Sequence, residues 1–160
     1  MEENNVANQI LAEHGSSTAL TITLASLATS TVGVGRQSTF VDNTDNAQMI
    51  RIYFDVTTGT SPTVNKTIQF YLLCRDDGAS PNISTDNAGA SDAGITISTA
   101  QLVNVVQVTA TSDVHYRGSF LIRNPGISWA IAVVHDTAVN LNSTGGNHII
   151  RYVIENQEIQ

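Results

Sequence analysis

Apolar and polar residues alternate with a period of two along most of this chain. Met49–Thr57 is the clearest case, with Ile50, Ile52, Phe54 and Val56 on one side and Arg51, Tyr53 and Asp55 on the other. One apolar and one polar face predict a half-buried strand. Lys66–Arg75 repeats the pattern, placing Ile68, Phe70, Leu72 and Cys74 together. With the Gly- and Pro-bearing turn at Thr58–Thr63 between them, residues 49–75 read as one hairpin with a long loop. Thr18–Leu27 alternates Leu20, Ile22 and Leu24 with threonines, and Arg36–Val41 is a short strand candidate. Further strands are expected at Ile95–Ser98, Leu102–Thr111, His115–Arg123, Ile127–His135 and Asn147–Glu155, with turn residues at Asn124–Gly126 and Asn142–Asn147. Eight or nine short strands at near-regular spacing, with almost no helix, imply an antiparallel all-β sandwich or barrel. Residues 1–15 read instead as a polar N-terminal arm. Val6 and Ile10 sit four apart there, a spacing that fits one or two helical turns but is too short to hold a helix alone. No repeat or linker divides residues 16–160, which are expected to form a single domain.

Composition sharpens the surface. The chain has 160 residues, long enough to bury a core without disulfide or metal. Only 13% of residues are charged, against about 25% in an ordinary soluble domain. Thr, Ser and Asn must therefore keep the surface wet. Seven basic and fourteen acidic residues give a net charge of -7, and the cations are spaced singly among acids. Phosphate neutralisation wants clustered Lys or Arg, so nucleic acid and anionic membranes are not expected partners. No apolar run approaches the roughly 20 residues of a spanning helix, and the acidic Met1–Asn5 is unlike a secretory leader.

Chemistry is sparse. Cys74 is the only cysteine, so neither an internal disulfide nor a cysteine zinc site is available. Its place on an apolar strand face makes it a small buried hydrophobe. His14, His115, His135 and His148 lack the spacing of a helical metal site, and no Gly-x-Ser-x-Gly elbow occurs. No catalytic, cofactor-binding or metal-ligating residue is assigned. The acidic stretch 76–94, with Asp86, Asn87, Ser91 and Asp92, and the cluster Asp42, Asn43, Asp45 and Asn46 both lack the twelve-residue calcium-loop pattern. They read as solvated loops. Among the aromatics, Tyr53 and Tyr71 fall on outward strand faces, as a sugar platform requires, whereas Trp129 belongs in the core.

Leu24–Thr29, Gly35–Thr44, Thr57–Thr63 and Ala132–His148 together resemble the small virion proteins of tailed bacteriophages. Specifically, the chain is similar to capsid decoration, or cement, proteins with a jelly-roll β-sandwich. The likeness runs from about Leu20 to Tyr152 and contains no catalytic signature. It implies a non-enzymatic structural protein on the outer surface of the assembled head, made in the bacterial cytoplasm. Such a protein bridges major capsid subunits and stabilises the shell; self-association, as a trimer, is part of the same implication. The arm lies outside the likeness. Its apolar residues Val6, Ile10 and Leu11 are the partner-binding candidates, because a free arm can order on a neighbour by strand addition or as a short helix. A carbohydrate-binding or adhesin module of a head or tail fibre is the alternative. A hydrolase on this fold requires His115, His135 or His148 within hydrogen-bond reach of a carboxylate in a cleft.

Overall fold

The computed structural model describes residues 10–75, 91–95, 100–109 and 113–159, with the side chains of 10–13 and 157–159 left aside. Eleven strands lie in these residues: β1 (Ile10–His14), β2 (Thr18–Ala19), β3 (Val34–Gln37), β4 (Val41–Asp42), β5 (Met49–Thr57), β6 (Thr67–Arg75), β7 (Ala93–Gly94), β8 (Gln101–Gln107), β9 (His115–Arg123), β10 (Ser128–His135) and β11 (Ile149–Ile159). Every pairing is antiparallel. Sheet A runs β1-β11-β5-β9, with β2 also on β11; sheet B runs β7-β3-β10-β6-β8, with β4 also on β10.

Eight strand lines account for almost all of this. β1 and β2 are two pieces of one line along β11, and β3 and β4 are two pieces of one line along β10. Counted as lines in chain order, sheet A holds the first, eighth, third and sixth, and sheet B the second, seventh, fourth and fifth. Two interleaved four-stranded sheets in that order are the jelly-roll topology. Eight of the expected strands overlap these eight lines; of the ninth, Ile95–Ser98, only Ile95 lies among the described residues, directly after the two-residue β7.

The expected hairpin over residues 49–75 does not form. β5 pairs with β9 and β11 in sheet A, while β6 pairs with β10 and β8 in sheet B. The even-numbered apolar faces of β5 and β6 meet across the sandwich instead, with Phe54 and Phe70 ring centroids 4.6 Å apart. The loop 58–66 is long enough to cross between layers. Thr18–Leu27 also departs from expectation, since only Thr18–Ala19 is strand. Leu20 and Leu24 are buried and Ile22 partly buried, as the alternation predicts, and Leu27, off that period, is buried too. This stretch is the crossover from sheet A to sheet B, and its backbone bonds to single partners, Leu20 N–H to Ile150 O and Thr39 N–H to Thr21 O.

The main core lies between the sheets. Ile50, Ile52, Phe54, Val56, Phe120 and Ile150 of sheet A meet Ile68, Phe70, Leu72, Trp129, Ile131 and Val133 of sheet B. Phe54, Phe70 and Phe120 form a ring cluster with centroids 4.6 to 6.1 Å apart, and Trp129 and Tyr152 pack perpendicular to each other with centroids 5.1 Å apart. Gly118 is needed here: a Cβ on it would lie 2.8 Å from the Phe54 ring. A second cluster covers the other face of sheet B, where Tyr71, Leu73, Ala130, Ala132 and Val134 lie beneath Ile95, Phe40 and Ala100. Every residue of β10 is consequently buried, which explains the unbroken apolar run Trp129–Val134.

Candidate functional site

The outer face of sheet A is the one large sheet face that no second cluster covers among the described residues. Alternation puts the odd-numbered residues of β5, β9 and β11 on it, and the register brings them into rows. Asp55 lies beside Arg117 and Ile149, Tyr53 beside Ser119 and Arg151, and Arg51 beside Leu121 and Val153. Met49, Arg123 and Glu155 form the last row. Four of the seven cations of the chain thus share a face on which the described carboxylates are Asp55 and Glu155. The spacing that looks solitary in sequence becomes a basic surface once three strands are laid side by side.

Polar order on this face is specific. Arg51 holds Glu155 through Nε and Nη2 at 2.6 and 3.2 Å, with His14 Nδ1 at 3.6 Å from the same carboxylate. Arg117 Nε donates to Asp55 Oδ2 at 2.7 Å. His115 Nδ1 lies 2.7 Å from Asp55 Oδ1 and 3.1 Å from Thr57 Oγ1. Thr57 Oγ1 donates to Asn147 O at 2.9 Å, so one proton on Nδ1 of His115 serves both neighbours. Burial opposes ionisation of Asp55, yet the bonds from Arg117 and His115 outweigh it and hold the carboxyl below the usual carboxylate range.

This cluster places His115 within reach of a carboxylate, as a hydrolase requires. A base relay, however, needs the carboxylate and the nucleophile on opposite ring nitrogens. Asp55 and Thr57 both meet Nδ1 of His115, and the Thr57 hydroxyl is already spent on Asn147. The other two histidines hold loops. His135 Nε2 is 2.9 Å from Leu27 O, its Nδ1 is 3.0 Å from Thr137 Oγ1, and its ring is fully buried. His148 Nε2 donates to Asn142 O at 2.8 Å while Nδ1 accepts from the Thr57 N–H at 3.4 Å. Burial lowers the pKa of both.

Tyr53 is 44% exposed on this face, as expected. Tyr71 is not: the second cluster over sheet B buries it to 5% exposure, so the expected pair of outward tyrosines reduces to one. Trp129 is core. Cys74 is half-buried against the main core, its thiol directed at Pro125 O at 3.5 Å and its pKa raised by burial.

Neither acidic loop has the make-up of a cation site in the described residues. Asn43 closes its own turn, accepting from Ala47 N–H at 2.7 Å and donating to Gly126 O at 2.9 Å. Asp92 pairs with Arg36 Nε at 2.5 Å and accepts from Ala28 N–H at 3.2 Å. Asp86 and Asn87 lie outside the described residues, and so does Val6. No group of three or more His, Cys, Asp or Glu side chains able to hold a metal occurs among the described residues.

Ile10 and Leu11 lie in β1, a strand rather than a helical turn. β1 pairs with Glu155–Ile159 of β11, beyond the point where β5 begins opposite Glu155. The two ends of the described chain therefore form a two-stranded ribbon that continues sheet A past its neighbours. At the break between β1 and β2, a groove of about 380 Å³ opens between His14, Gly15, Asp45, Tyr152 and Ile154. No protein family matches this chain, and a search of curated proteins finds no match either.

Proposed function

We propose that this is a structural virion protein of the capsid decoration, or cement, kind, which binds the outside of an assembled phage head and bridges major capsid subunits. The observation that carries the reading is the ribbon formed by β1 and the end of β11. A two-stranded ribbon is marginal in water by itself and gains stability from whatever it lies against. A jelly-roll body rich in Thr, Ser and Asn, extended by such a ribbon, suits a wet interface repeated over many copies. The resemblance to decoration proteins over Leu20–Tyr152 supports the same role, with trimer formation at the attachment point and a place on the outer capsid surface.

The test is cosedimentation of the purified protein with heads that lack it, followed by heat challenge. Saturable binding at a fixed ratio to the major subunit, with a more heat-resistant shell, is the expected result. A folded protein that stays in the supernatant ends this reading. The carbohydrate-binding alternative draws on one observation, the exposed ring of Tyr53 beside the Asp55–Arg117 pair, and a glycan array tests it.

A further inference from the structure

We infer that the outer face of sheet A is the docking surface of this protein, and that the partner surface it meets is acidic protein. The inference rests on the decoration reading for the partner's identity and adds to it the face and its chemistry. A chain of net charge -7 carries four arginines, Arg51, Arg117, Arg123 and Arg151, on this one face, against two described carboxylates there. Both carboxylates are already engaged, Glu155 by Arg51 and Asp55 by Arg117. The face is therefore net positive on a negative molecule, and an acidic surface is steered to it while other approaches are repelled.

Apolar contact sits among these charges. Tyr53 is 44% and Ile149 46% exposed, diagonal neighbours across the β5–β11 register, and they border a shallow hollow of about 270 Å³ with Arg117 and Arg151 at its rim. Tyrosine and arginine around a partly apolar centre are the residue types that dominate interface energetics. The rows from Met49 to Asp55 extend the charged surface over about 20 Å along the strands, at about 3.4 Å per residue. Arginines dispersed over that length do not converge on one small acid group. They match a surface with carboxylates spread across it. The face is also continuous with the β1–β11 ribbon, so one docking event can use both.

The test compares wild type, Arg123→Glu/Arg151→Glu, Arg123→Lys/Arg151→Lys and Tyr53→Ala, each shown to melt as wild type, in titrations onto heads lacking the protein at low and high salt. The double Glu variant is expected to lose at least about tenfold in affinity and most of the salt dependence, the Lys variant to retain both, and Tyr53→Ala to lose affinity at either salt. Wild type that binds, with a Glu variant that binds equally well, overturns the assignment of the face while leaving the decoration reading intact. Wild type that does not bind overturns the decoration reading and the partner with it. Unaltered head binding by the Glu variant, together with charge-dependent wild-type binding to polysialic acid, overturns the protein partner in favour of an acidic glycan.

Discussion

On sheet B the outward row Tyr71, Leu73, Ala130, Ala132 and Val134 is buried under Phe40, Ile95 and Ala100. On sheet A the corresponding row carries Arg51, Tyr53, Asp55, Arg117 and Arg151 and faces solvent. Both sheets contribute an inner face to the same core, so the contrast lies wholly in how the outer faces are finished. The cover on sheet B comes from outside its strands: Phe40 lies between β3 and β4, and Ile95 and Ala100 lie between β7 and β8. Sheet A has no such cover among the described residues. Apolar residues brought over a sheet from outside its strands turn its outer face into a second core; without them the face stays polar and exposed.

The largest test of this contrast is truncation on the covered face. Leu73→Ala, at a fully buried position, is expected to cost about 2–5 kcal/mol, as core leucine truncations do. Denaturant unfolding measures it, and a loss below about 1 kcal/mol would mean the second cluster is not a packed core.

Gly35 sharpens the same point. A Cβ there would lie 2.4 Å from Val133 O and 2.8 Å from both Ile95 Cδ1 and Val134 Cγ2. The backbone oxygen cannot swing aside, so Gly35→Ala is expected to destabilise by about 1–3 kcal/mol, read as a lowered denaturant midpoint. An unchanged midpoint would show that β3 and β10 separate freely under the covering segment.

Acidification acts first on the loops. His135 and His148 have folded-state pKa values below their ordinary 6.5. Protonation therefore favours the unfolded chain: stability is complete above pH 6.5 and is lost as pH falls below it. Asp55 and Asp136 lie below their ordinary 3.8, so their contribution is present above that value and lost only at still lower pH. His148→Gln, able to donate to Asn142 O and accept from Thr57 N–H, is expected to reduce the loss below pH 6.5 in thermal melts. An identical pH profile for the variant would assign that loss elsewhere.

The smallest effect is expected on the open face, where Tyr53→Ala should change stability by no more than about 0.5 kcal/mol. A loss comparable to that of Leu73→Ala would erase the distinction between the two faces.

Much of this was legible in the residues. Period-two alternation located β5, β6, β9 and β10 to within a residue or two, because each must show the core one apolar face. Trp129, placed in the core from its apolar surroundings, is there. Two readings went astray for one reason: β5 and β6 are neighbours in sequence but not in a sheet, and Tyr71 alternates outward only to meet a covering segment. Alternation specifies which residues share a face of a strand. It contains nothing about which strand lies alongside or what lies above.

The sequence by itself determined the all-β class, the strand positions and the core side of each strand, since those follow from local periodicity and the cost of burying polar groups. Tertiary structure alone decided the pairing order, which gathers Arg51, Arg117, Arg123 and Arg151 onto one face and places His115 beside Asp55. Those meetings join residues up to 100 positions apart in the chain, and only the register of strands distant in sequence brings them within reach.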